Sequence, residues 1–187
     1  TNSLRPAVIL LLVGLLLGSG SFAESRGITG DKAEGDRDVA KTGCTCHSDN
    51  VIAPTDSMTL IIEGVPFGWS SGESYELTIQ LIGGPEMDIS SNTGGFSMRV
   101  TSGVLSAGSG FEGKVKNDGS EQTLTHTAAG AQTEDRTWHI VWTAPAAGSG
   151  EVTIWLAGNS VDGNGAAMAP DSYNRLSFSL PEGSDSS

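Results

Sequence analysis

Cysteine is nearly absent from this 187-residue chain: there are two, Cys44 and Cys46, with one residue between them. A fold stapled by several disulfides is thereby excluded. Histidine is as scarce, at three, and one of the three directly follows Cys46 as His47. Basic residues number 10 against 22 acidic ones, a net charge of −12. Binding to phosphate backbones needs clustered Lys and Arg, so nucleic acid is excluded as a partner. Missing too are Gly-x-Ser-x-Gly, His-Glu-x-x-His and a glycine loop ending in Lys-Ser/Thr. The nucleophile elbow, the zinc-protease helix and the P-loop therefore have no support. Carboxylate neighbours such as Glu134-Asp135 fall on expected loops, where solvation accounts for them. No acid and base pair stands out, and an electron carrier or binding module is expected rather than an enzyme.

What is present begins with a targeting segment. Arg5 supplies a positive start, Ala7 to Leu17 an apolar run, and Ser21-Phe22-Ala23 a cleavage site. Residues 1–23 read as a signal peptide or hydrophobic anchor, short for a membrane span. Export follows, to the cell surface, the periplasm or beyond, where thiols meet an oxidising environment. Residues 24–56 form an irregular lead-in carrying the two cysteines, 57–180 the domain proper, and 181–187 a polar tail. Membrane contact is expected only through the N-terminal segment or a C-terminal anchor beyond this chain.

Gly is abundant at 26 residues, and no segment past the N-terminus keeps a helical period. Short strands joined by tight turns suit that balance. Ser57 to Glu63 is the first expected strand, ended by Gly64 and Pro66. Ser74 to Ile82 alternates, with Tyr75, Leu77, Ile79 and Leu81 on one face and Glu76, Thr78 and Gln80 on the other. Gly95 to Thr101, Gln122 to Thr127, Arg136 to Thr143, Glu151 to Ala157 and Tyr173 to Leu180 complete the set of seven. Trp138, Ile140 and Trp142 face one way on the fifth, and His139 the other. Period-two patterning with one polar face predicts an all-β, two-layer antiparallel sandwich of immunoglobulin-like type. Its expected core holds Trp138, Ile140, Trp142, Leu77, Ile79, Val152 and Ile154, with the four tryptophans and Phe96 as core residues.

Two loops stand apart. Gly103 to Gly119 is glycine-rich and long for a hairpin, which predicts an exposed flap. Asn159 to Asp171 is dense in Asn, Asp and Gly. That composition serves a solvated turn and is also one that can wrap calcium, although its spacing is not that of a defined calcium loop.

Cys44-Thr45-Cys46-His47, Thr125-His126-Thr127, Trp142-Thr143-Ala144-Pro145 and Ala157-Gly158-Asn159 with Gly163-Asn164-Gly165 occur in that order. Together they resemble the Reeler-like "choice-of-anchor" domains of exported prokaryotic proteins, over about 30–180. The resemblance implies a β-sandwich with a haem-c-type Cys-x-x-Cys-His near its start. Here one residue, not two, separates the cysteines.

In c-type attachment two thiols add to the haem vinyl groups and the adjacent His binds iron. Cys44, Cys46 and His47 are the candidate cofactor-binding residues for a covalent haem c. A Cys44–Cys46 disulfide and a zinc or copper site completed from elsewhere remain open beside it. Iron has a second axial position, for which His126, His139, Met98, Met168, Met58 and Met87 are the donors at hand. The resemblance favours His126, following a flexible loop, as the metal ligand opposite His47. Met98 is expected to turn inward with Phe96 and Val100. The leading expectation is an exported haem-bearing electron carrier working with other cytochromes, envelope proteins or copies of itself. The other is an adhesion or scaffold module whose cysteines only stabilise.

Overall fold

The computed structural model describes residues 26–27, 38–44, 57–166 and 170–183. The N-terminal apolar segment, Cys46, His47 and Met168 lie outside them. The described residues form nine strands: β1 (Met58–Glu63), β2 (Ser74–Gly83), β3 (Gly94–Val100), β4 (Val104–Ala107), β5 (Val115–Asn117), β6 (Thr123–His126), β7 (Thr137–Thr143), β8 (Val152–Ser160) and β9 (Ser172–Leu180). They form two antiparallel sheets, ordered β1-β2-β7-β4 and β5-β6-β3-β8-β9.

Alternation sets the faces. On β2 and β7, Leu77 pairs with Ile140 and Ile79 with Trp138, all inward and at most 1% exposed. The other sheet answers with Phe96, Met98, Val100, Leu124, Val152, Ile154 and Leu156. All seven expected core residues are buried there, and Met98 lies inward between Phe96 and Val100. Burying a side chain of this size contributes about 1.5–3 kcal/mol, which is why the pattern fixes the layer order. Phe96 packs on Trp138 at 5.2 Å between ring centroids. Trp69 is buried as well, but Trp155 is not a core residue. It sits on the outer face of β8, where its neighbour is Lys41.

Gly103 to Gly119 is not a flap. Val104–Ala107 adds the edge strand β4 to one sheet and Val115–Asn117 adds the edge strand β5 to the other. Leu105 is fully buried, and the Asn117 side-chain amide donates to the carbonyls of Leu105 (2.8 Å) and Thr123 (2.9 Å). Strands of four and three residues are too short to show a period, so the glycines between them dominated the reading. On the opposite flank the Asn174 amide donates to the Met58 carbonyl at 3.0 Å, tying β9 to β1.

Arg136 holds the end where β2, β3 and β8 converge. Its backbone is left-handed (φ 54°) and its side chain is 4% exposed. The guanidinium donates to the carbonyls of Thr93, Gly83, Pro85 and Val161, at 2.7, 2.7, 2.8 and 3.3 Å. Burial lowers its pKa, and the Asp171 charge raises it in part.

Candidate cofactor site on the outer sheet face

The lead-in is not wholly irregular. Val39–Thr42 forms one helical turn, α1, with Asp38 as its N-cap. A single turn is unstable alone, and the sheet beneath supplies what holds it. Val39 and Ala40 are buried, Asp38 pairs with Arg99 of β3 at 3.1 Å, and the Lys41 ammonium lies 4.4 Å from the Trp155 ring centroid. Arg175 of β9 donates to the carbonyls of Lys41 (3.0 Å) and Thr42 (3.3 Å), satisfying acceptors at the end of the turn. Gly43 then leaves with φ 93°. Its Cα rests so near Tyr173 that a Cβ would come within 2.6 Å of the ring. Cys44 follows beside the same tyrosine. Burial raises the Tyr173 pKa most; Arg175 lowers it and Cys44 raises it further.

Gly43-Cys44 therefore lies over the face of the five-stranded sheet that points away from the sandwich core. Strand register shows what lies beside it. Tyr173 pairs with Asn159, and Asn159 with Gly95, so these three form a row across β9, β8 and β3. In the next row Arg175, Ala157, Ser97 and Thr125 line up. The middle of this face is built from small residues, and Gly95, Ser97, Thr125 and Ala157 are buried although none belongs to the hydrophobic cluster between the sheets. The Ser97 hydroxyl, on a residue 1% exposed, has no hydrogen-bond partner among the described residues.

His126 closes the row at Gly95. It ends β6, is 7% exposed, and its ring occupies the space a Gly95 side chain would fill: an ideal Cβ there would lie 2.2 Å from Cε1. Nδ1 stands 3.0 Å from the Phe96 amide nitrogen and 3.1 Å from the Phe96 carbonyl oxygen. The Phe96 amide donates to Nδ1, which fixes the ring and leaves the neutral imidazole's proton on Nε2. His126 is thus placed by a strand and by its ring's backbone contacts, not by a flexible loop. His139 lies on the outer face of the other sheet, near the Thr78 hydroxyl (3.1 Å) and edge-on to Phe111. Met58 and Met98 are fully buried in the core, and Met87 is partly exposed. Of the expected donors among the described residues, His126 alone shares the face that receives Cys44.

In the Asn159 to Asp171 segment, Asn159 and Ser160 belong to β8. The Asp162 carboxylate accepts from the Asn164 backbone (3.0 Å) and side-chain amide (2.8 Å), and Asp171 accepts from the Asp162 amide (3.2 Å). These bonds fold the loop on itself as Asx turns do. Among the described residues no group of three or more His, Cys, Asp or Glu could hold a metal, and no helix is long and apolar enough to cross a membrane.

No family model matches the sequence, and no curated protein matches it. Among solved structures the chain is similar to the human F-spondin reeler domain, at 18% identity and a TM-score of 0.45, covering 70% of this chain and 91% of that one. It is also similar to a lipoprotein from Bacteroides thetaiotaomicron (14% identity, TM-score 0.38, 72% and 86% covered). A third likeness is to the sixth cohesin of scaffoldin B from Acetivibrio cellulolyticus (10% identity, TM-score 0.41, 68% and 99% covered). At this overlap the likenesses assign no function, and the sandwich stands on its own strand pairing.

The small-residue floor and the Gly95–His126 contact were not found from sequence. A signal existed in Gly95, Ser97 and Ala157, which occupy outward positions where solvated charges are expected.

Proposed function

We propose that the protein is an extracytoplasmic, non-enzymatic β-sandwich module carrying a covalent haem on the outer face of its five-stranded sheet. Cys44 and Cys46 would hold the group, with His47 and His126 on the iron. The observation that carries this reading is that Gly43-Cys44 and His126 stand at the two ends of one row of that face. Two strand spacings separate those ends, about 10 Å. His47, three residues past Cys44, can span about 10 Å of extended chain.

Gly95 leaves room for the imidazole and Ser97 has an unused hydroxyl. Ser97, Thr125 and Ala157 are at most 1% exposed, so a flat macrocycle would lie over them only by displacing the chain that already covers them. Lys41, Arg99, Lys116 and Arg175 all lie on or over this face of an otherwise acidic protein, which suits a group bearing two carboxylates. Bound haem supplies one-electron chemistry, and two histidine ligands favour electron transfer over substrate binding.

One observation favours a second reading, a scaffold or adhesion module with a structural disulfide. Arg175 and Asp38 already pin the lead-in to the sheet without any cofactor. The experiment is maturation in a host that attaches haem c, followed by intact mass and visible spectra. Covalent haem with a low-spin spectrum that turns high-spin in His126→Ala, and not in His139→Ala, is the expected result. A mass two hydrogens short with no haem supports the disulfide and overturns the haem.

A further inference from the structure

The two sheets differ in charge. Strands β1, β2, β4 and β7 contain no Lys or Arg, and β3, β5, β6, β8 and β9 contain no Asp or Glu. From Ser57 to Met98 the chain has Glu63, Glu73, Glu76, Glu86 and Asp88, and no Lys, Arg or His. All five carboxylates are exposed, and among the described residues none of them is in an ion pair. The same stretch holds Phe67, Ile82, Met87 and Ile89, the large hydrophobic side chains that are exposed among the described residues.

Three of these four follow one another past the end of β2. Ile82, 50% exposed, points outward there, and Ile61 of β1, paired with Gln80, is its diagonal neighbour on that face. Met87 and the 64% exposed Ile89 follow in the loop from β2 to β3. That loop is held at both ends of its turn. Arg136 donates to the Gly83 and Pro85 carbonyls at its root, and the Asp88 carboxylate accepts from the Ser90 amide (2.9 Å) and hydroxyl (2.6 Å). Glu63 and Glu76 stand on the outer face with Ile61 and Ile82, and Glu86 and Asp88 alternate with Met87 and Ile89. Phe67 lies beyond the other end of β2, in the turn from β1.

We propose that the outer face of β1 and β2, with the 84–90 loop, docks a partner protein that carries Lys or Arg around an apolar contact. Exposed apolar side chains on a fixed loop are contact area that needs little ordering. Unpaired carboxylates around them select a cationic rim and speed encounter with it. A second copy docked through the same face would set Glu against Glu, and an anionic membrane surface would repel it. The inference holds with or without haem, which belongs to the opposite sheet.

The test uses the full chain and a fluorescein-labelled amphipathic peptide of Leu and Lys, followed by anisotropy. The peptide should bind, more weakly as salt rises, and its Leu and Glu counterpart should not. Ile82→Ser with Ile89→Ser should weaken binding at least about tenfold. Glu76→Gln with Glu86→Gln should weaken it and flatten its salt dependence. Phe67→Ser, and Glu112→Gln with Glu121→Gln on the β4 to β6 connections, should leave it unchanged. All these side chains are exposed, so the variants keep the fold. If the Glu112 and Glu121 pair weakens binding as much, the peptide reads overall charge and the docking surface falls. An unchanged affinity in the isoleucine variant, or no binding at all, overturns it too. Binding of phosphatidylcholine vesicles through Ile82 and Ile89 would replace the protein partner with a membrane.

Discussion

Gly95→Ala puts the candidate site under a direct steric test. The new Cβ would lie 2.2 Å from His126 Cε1, 2.6 Å from Nδ1 and 2.7 Å from Nε2. Carbon contacts settle at about 3.5 Å, so the imidazole must retreat by more than about 1 Å. Its 3.0 Å contact with the Phe96 amide cannot survive that movement. A buried amide left without an acceptor costs about 1–3 kcal/mol, and the crowding adds about 1–3 kcal/mol. Against these, Ala gains about 0.5–1 kcal/mol over Gly in a strand through backbone entropy. The net expectation is a loss of about 1–5 kcal/mol. Urea denaturation measures it, with Gly113→Ala as the control, since nothing lies within 4 Å of a Cβ there and its φ is ordinary. In haem-loaded protein the same substitution should convert a low-spin spectrum to high-spin. A Gly95→Ala protein as stable as the control, with its spectrum unchanged, would refute the placement of the ring.

Three further outcomes follow from the packing. Trp142→Ala removes a fully buried indole that stacks on Tyr75 and donates to the Ser102 carbonyl, and should cost about 3–5 kcal/mol by chemical denaturation. Arg136→Met removes the guanidinium from four backbone carbonyls, of which that of Thr93 keeps the Val161 amide, and should cost at least about 3 kcal/mol, whereas a loss under about 1 kcal/mol would mean water replaces the guanidinium. Tyr173 should form its phenolate at higher pH than a free tyrosine does, read by ultraviolet absorbance. Because its folded pKa lies above the unfolded value, Tyr173 costs no stability below about pH 10, and stability falls as pH rises from there towards its folded pKa. Cys44→Ala should bring the Tyr173 titration down only if Cys44 carries a titrating thiol; a thioether or disulfide predicts no change from loss of charge.

The sandwich was legible because its longer strands show period-two burial, as Leu77, Ile79, Trp138, Ile140 and Trp142 demonstrate. The strands β4 and β5 were not, since four and three residues carry too little pattern and their order depends on joining opposite sheets. At the site, Gly43-Cys44 was visible as a motif and His126 as a donor, but no local rule placed both over one sheet face. That face is set by pairings between residues 14 to 64 positions apart, such as Ser97 with Thr125 and Asn159 with Tyr173 and Gly95. Trp155 misled for the opposite reason. An aromatic on an alternating strand reads as core, and here it shelters a one-turn helix instead.

The two asparagine bridges have a consequence for how partners can attach. Where Asn117 reaches Leu105 and Asn174 reaches Met58, the outermost strands of one sheet are laced to those of the other, so the layers close towards a flattened barrel. Open strand edges invite further strands, from a ligand peptide or from a second copy, and lead to fibres when unguarded. Lacing both flanks with a side-chain amide takes up carbonyl groups that an incoming strand would use. Association of this molecule should therefore run through its faces and loops rather than by strand addition, and subunits joined that way can stack without merging their sheets.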